Sequence, residues 1–245
     1  MGRDTSSAHD WVFQIQGLTK SFSNHLALRD IELEVRRGES VVIFGPNGAG
    51  KTTLISIMAT IMNPSSGIVR VDGLSLKDNT EDVRRRIGVV THQTFLYRNL
   101  TAYENLEFYS RMYDVPRRRE RIHEVVALVE MTSRLHDRVG TLSRGMQQRL
   151  SIARSLLHQP SIMLLDEPET GLDQQAISLL WRSLEVERAG EHTIIMATHS
   201  LERGIELGDR LLILDKGKFV YQKSAKDLDL AGLKAAYQCY TGAGG

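Results

Sequence analysis

The chain lacks most of what would make it a secreted, membrane-spanning or nucleic-acid-wrapping protein. It has one cysteine, Cys239, in 245 residues, which excludes an internal disulfide and suits a reducing compartment. No apolar run approaches the ~18 residues of a membrane span. Direct membrane insertion is therefore not expected, and any link to a membrane would run through a partner. The first ten residues are polar, with no apolar signal core, and read as a disordered tail. An excess of one charge is also missing: 31 Lys plus Arg against 30 Asp plus Glu give a net charge of +1. That balance gives no support to a nucleic-acid partner. No internal repeat is visible, and the terminal Gly-Ala-Gly-Gly is the only low-complexity stretch.

What the chain does have is the segment Gly45-Pro46-Asn47-Gly48-Ala49-Gly50-Lys51-Thr52. It fits the phosphate-binding pattern G-x-x-x-x-G-K-[ST]. It follows the apolar run Val41 to Phe44 and precedes a helix-like stretch beginning at Thr53. Glycines let the backbone curl so that successive N–H groups face phosphate oxygens. The helix adds the positive end of its dipole. Lys51 is expected on the β- and γ-phosphates of ATP and the Thr52 hydroxyl on Mg²⁺, with Thr53 completing the cradle.

The rest of the pattern is α/β. Alternation in residues 11–16 and 30–35 predicts antiparallel strands flanking the loop. Thr101 and Glu104 form a capping box ahead of a helix to Tyr113. Pro116 opens a second helix to about Glu130, and Ser143 a third, ending near His158. Three helices without a clear strand predict a helical insertion over about 95–158 in an α/β core. Strands return at 162–165, 193–198 and 210–214, with helices at 173–189 and 201–207 between them. Asp215 to Lys218 reads as a hairpin turn. The domain is expected over 11–221, followed by a C-terminal extension, 222–245.

Two more elements carry chemistry. Ile162-Met-Leu-Leu-Asp166-Glu167 ends an apolar strand in two carboxylates. Beside a phosphate loop, Asp166 suits the metal, and Glu167 is placed to polarise an attacking water. Leu142-Ser143-Arg144-Gly145-Met146-Gln147-Gln148-Arg149 begins a helix with a serine and a glycine N–H, an anion site.

At this segment the sequence resembles the ABC-transporter ATPase family, whose signature reads Leu-Ser-Gly-Gly-Gln. The resemblance runs from about Trp11 to Tyr221, with six elements agreeing in type and order. It implies a P-loop NTPase core with an antiparallel β subdomain and an inserted α-helical subdomain. It also implies that Ser143 and Gly145 contact the γ-phosphate held by the opposite subunit of a homodimer. Gln93 matches the glutamine that contacts Mg²⁺ and water and senses the transporter. His199 matches the histidine on the γ-phosphate, Asp173 the aspartate at the dimer interface, and Phe22 the aromatic that stacks on adenine. The chain departs from the signature at Arg144, in place of glycine, and Met146, in place of glutamine. Contacts made by that glutamine are in doubt.

The resemblance further implies integral membrane permease subunits as partners, at the cytoplasmic face of the cell membrane. In relatives the region of Phe95, Tyr97, Leu100 and Tyr103 docks a helix of the membrane subunit; packing under the helical insertion is the alternative. Within exporters, 142–150, 153–158 and 104–113 are similar to the ATPase of the haem exporter of cytochrome c maturation. Drug- and lipid-exporter ATPases share much of this. A soluble member, such as an iron–sulfur assembly ATPase, is the competing class. A small-molecule kinase would have no use for the Ser143 motif or His199.

Overall fold

The computed structural model describes residues 11–169, 177–178, 181 and 192–242. The helix expected over 173–189 falls almost wholly outside them, and so does Asp173. Contacts divide the chain into two units: Met1–Arg84 with Leu164–Asp166 and Thr193–Gly245, and Arg85–Met163 with Glu167–His192.

The first unit holds two sheets. The antiparallel one has the order β2-β1-β4-β5, from β1 (Trp11–Phe22), β2 (His25–Arg36), β4 (Ser66–Val71) and β5 (Leu74–Ser75). β1 is longer than the alternation suggested. Its pairing with β2 shifts register between Ile15 and Leu18, so the period-two pattern breaks there although the strand continues. The other sheet joins β10 (Lys218–Ser224), β9 (Arg210–Asp215), β3 (Ser40–Phe44), β8 (Thr193–Ala197) and the end of β7 (Ile162–Asp166), in that order. Strands β8 and β9 run parallel to β3 on either side. All five residues of β3 and of β7 are buried. A continuous apolar run is what a central parallel strand requires.

Helix α1 (Lys51–Met58) follows β3, with α6 (Leu201–Leu207) after β8 and α7 (Leu230–Thr241) at the end. The strand β10 runs past residue 221 to Ser224. Beyond it α7 packs on α6, β9 and β10, burying Leu233 completely. The C-terminal extension is therefore part of this unit's packing.

The second unit contains β6 (Ile87–Val90), the start of β7, and the helices α3 (Ala102–Met112), α4 (Arg118–Leu128) and α5 (Arg144–Leu156); the short α2 (Thr80–Arg84) precedes it. The capping box at Thr101 and Glu104 forms as the sequence predicts. Helix α5 packs on β6 and α4.

Candidate active site

The phosphate loop is shaped by its neighbours within the first unit. A Cβ at Gly45 would lie 2.2 Å from the Leu214 carbonyl oxygen, so only glycine lets the loop pass β9. Gly217, in the turn after β9, donates its N–H to Ala49 O at 2.9 Å. Its own carbonyl accepts from Arg29 N at 2.8 Å, which ties loop, turn and β2 together. Pro46 O accepts from Ala49 N at 3.1 Å, while Asn47 and Gly48 at the crest are exposed.

Helix α1 starts directly from this loop. Its N-cap, Gly50, offers no side chain to the first-turn N–H groups. An uncapped N-terminus leaves those donors, at Lys51, Thr52 and Thr53, for an anion. The buried Lys51 folds its ammonium back over the loop, donating to Gly45 O at 2.7 Å. Such a cradle of backbone donors around a cation fits a polyphosphate.

The expected metal ligands are also brought together. Thr52 Oγ1 donates to Asp166 Oδ1 at 3.2 Å, linking α1 to the end of β7. Asp166 is only 2% exposed. A hydroxyl and a carboxylate are hard oxygen donors, and Mg²⁺ sites of this kind take one or two such groups plus substrate phosphates. The donor set therefore fits Mg²⁺.

Register places His199 beside the loop. Ile43 pairs with Ala197, and Thr198 N donates to Ile43 O at 3.1 Å. His199 follows directly and is exposed, before Ser200, which caps α6. Phe22 stands at the tip of the β1–β2 hairpin, 43% exposed, with the Lys20 ammonium 5.0 Å from its ring centre. It is not the core aromatic that a strand end often carries, and its open face suits stacking.

The remaining residues belong to the second unit. Glu167 has φ 48°, a left-handed conformation that costs a non-glycine residue about 1–3 kcal/mol, and it precedes proline, which normally favours extended backbone. Strain of that kind fixes where a carboxylate points. Gln93 is exposed, in a turn where Thr91 Oγ1 accepts from Gln93 N at 3.0 Å. Ser143 is exposed and caps α5, its Oγ accepting from Met146 N at 3.2 Å. That bond uses the backbone of Met146, so the serine is oriented whatever side chain stands there. Gly145 lies in the same first turn.

Three contributors were missed from the sequence. The buried Gln148 donates Nε2 to Thr91 O at 3.0 Å, joining α5 to the turn that carries Gln93. Gln147 donates to Leu142 O at 2.9 Å and Val139 O at 3.1 Å, holding the approach to Ser143. Phe108 and Met112 extend the exposed surface of Phe95 and Tyr97. A signal existed for Gln148: it stands four residues before the buried Ile152, on the covered face of α5.

Comparisons with known proteins agree with this geometry. The sequence model of the ABC transporter family matches residues 28–170. The ABC transporter ATP-binding protein NatA of Bacillus subtilis (strain 168) is 36% identical over 82% of this chain and 83% of its own length. The linearmycin resistance ATP-binding protein LnrL of the same organism is 32% identical over 89% and 70%. Among solved structures, the dimeric post-hydrolysis state of the ATP-binding cassette MJ0796 bound to ADP and Pi superposes with a TM-score of 0.80. It is 28% identical over 87% of this chain and 98% of that one. The α/β fold with its antiparallel sheet, the phosphate loop and these relatives lead to one conclusion: the chain belongs to the ABC transporter ATP-binding family and is an ATPase subunit of a transporter.

Proposed function

We propose that this chain powers an exporter, with two copies closing around ATP and pulling on integral membrane permease subunits. The observation that carries the reading is the Thr52–Asp166 pair at 3.2 Å beside Lys51 and the uncapped α1. In this reading Gly45 to Thr53 wrap the phosphates and Phe22 stacks on adenine. Ser143 and Gly145 of the other copy close the γ-phosphate, and Asp173 lies at the dimer contact. Mg²⁺, held by Thr52, Asp166 and Gln93, supplies charge neutralisation between phosphate oxygens. Glu167 accepts a proton from the attacking water, and His199 donates to the γ-phosphate. Lys51 and the N-terminus of α5 stabilise the charge on the transferred group.

Export, rather than uptake or a soluble role, is supported by the similarity to a linearmycin resistance ATPase and by the exposed Tyr97, Phe108 and Met112. Such an apolar patch suits a protein partner. Among the described residues no helix is long and apolar enough to cross a membrane, so attachment would be peripheral, at the cytoplasmic face. The experiment is purification from detergent extract, followed by ATPase assay. An integral membrane protein should accompany the chain and stimulate hydrolysis. Glu167→Gln should bind ATP, dimerise and hydrolyse about a hundredfold or more slowly. A chain that purifies alone and turns over unchanged with Glu167→Gln contradicts both halves.

Haem for cytochrome c assembly is a second cargo reading, favoured by the segments 104–113, 142–150 and 153–158. ATP-dependent haem uptake into inverted vesicles separates it from drug or lipid export, because only a haem exporter accumulates haem there.

A further inference from the structure

The second unit buries an arginine with no acidic partner among the described residues. Arg154, on α5, is 7% exposed. Its guanidinium carbon lies 5.6 Å from the ring centre of Phe95 and 5.2 Å from that of Tyr109. Nη2 donates to Val89 O at 2.8 Å, while Nε is buried without a partner. Burial pulls the guanidinium below its ordinary pKa, with Tyr109 and Tyr113 opposing. A buried charge is costly unless paired and fully hydrogen-bonded. Two ring faces and one carbonyl leave that requirement partly unmet.

The same place carries the exposed rings. Phe95 is 36% exposed, Tyr97 50%, Phe108 43% and Met112 50%. Tyr97 meets Phe108 edge-on at 5.2 Å, and Phe108 meets Tyr109 at 5.3 Å. Buried polar groups hold this surface in shape. Asn105, fully buried, accepts from Tyr97 N at 2.8 Å and donates to Tyr97 O at 3.0 Å. The Tyr109 hydroxyl donates to Phe95 O, and Phe95 is kept at φ 54°. A surface pinned in a strained form is preorganised for a partner.

We propose that a short helix of the membrane subunit docks here and carries a carboxylate that pairs with Arg154 past the edge of Phe95. Its apolar residues pack on Tyr97, Phe108 and Met112. This rests on the reading that the chain works with a membrane subunit. A lipid headgroup is the poorer fit, because the cation is recessed behind rings, whereas a side chain on a helix can reach into a recess.

The test uses the complex of this chain with the membrane protein that purifies with it. Each Asp and Glu in the cytoplasmic loops of that protein is changed to Asn or Gln, leaving this chain intact. One such change is expected to lower ATPase stimulation at least tenfold. Arg154→Gln should give the same loss, and the two together no more than either alone, as for partners in one pair. In a Cys239→Ser background, Phe108→Cys should form a disulfide with a cysteine placed one turn from that carboxylate. The proposal is overturned if no carboxylate matters, or if the two losses multiply. It is equally overturned if wild-type chain binds protein-free phosphatidylglycerol vesicles and Arg154→Gln abolishes that binding. Should Arg154→Gln fail to fold, the carboxylate scan and the disulfide decide by themselves. A wild-type chain with no membrane subunit at all defeats the underlying reading, a result distinct from a complex that tolerates every carboxylate change.

Discussion

Lys51 spends its ammonium on Gly45 O, 2.7 Å away, a neutral acceptor that a phosphate oxygen would outcompete. Charge-assisted bonds of this kind are worth about 1.5–3 kcal/mol. Lys51→Ala is therefore expected to weaken ATP binding by about tenfold to a hundredfold, read by titration with a fluorescent ATP analogue. Unchanged affinity would remove the phosphate loop from the site. A second residue-level prediction concerns His158, which plays no part in that site. Its ring stacks on Tyr113 at 4.1 Å, and Nε2 meets Ile87 O at 3.0 Å. Burial, with the Arg154 and Arg121 charges, pulls its pKa down to about 4, against the Ile87 contact that raises it. The unfolded histidine takes up its proton near 6.5, before the folded one does. The stability it contributes is full above 6.5 and falls as pH drops toward 4, by about 3 kcal/mol in all. Urea unfolding at pH 7 and pH 4.5 should show this loss in the wild type and a smaller one in His158→Gln. Parallel losses in both proteins would assign the acid sensitivity elsewhere.

At the scale of elements, close contact explains what a motif search passes over. Helix α6 lies flat on β3 because residue 204 is glycine. A Cβ there would come within 2.1 Å of the Phe44 ring, at the end of the strand that delivers the phosphate loop. Gly204→Ala must push helix and strand apart, and overpacking of this sort costs about 1–3 kcal/mol. Its melting temperature should fall, while Phe44→Leu in the same chain, by making room, should recover part of the loss. The sequence revealed elements whose signal is local. The phosphate loop, the Thr101 capping box, the Ser143 cap and the apolar runs of β3 and β7 each declare themselves within a few residues. It was silent where the cause is distant. Strand β1 was read too short because pairing with β2 shifts after Ile15. The exposure of Phe22 follows from a hairpin tip. Arg154 and Asn105 are polar residues whose burial depends on a loop far along the chain. Asp173, legible as a motif position, lies outside the described residues.

At the scale of the whole molecule, Lys51 and Ser143 are proposed to serve the same nucleotide from different copies. Mixing tests this without a structure of the dimer. Lys51→Ala disables the loop but keeps Ser143. Ser143→Asp keeps a good N-cap for α5 but sets a carboxylate against the γ-phosphate, and its loop is intact. Each variant alone offers only broken sandwiches and should hydrolyse little ATP. In a heterodimer, one sandwich combines both defects, and the other combines Lys51 of one copy with Ser143 of the other. Random pairing of equal amounts makes about half of the dimers mixed, each with one sound site of two. A 1:1 mixture should therefore recover up to about a quarter of wild-type turnover per chain, peaking at equal amounts and vanishing at either extreme. Activity that only averages the two variants across the mixing series would mean that each chain completes its own site, and the shared nucleotide would be lost as the source of closure.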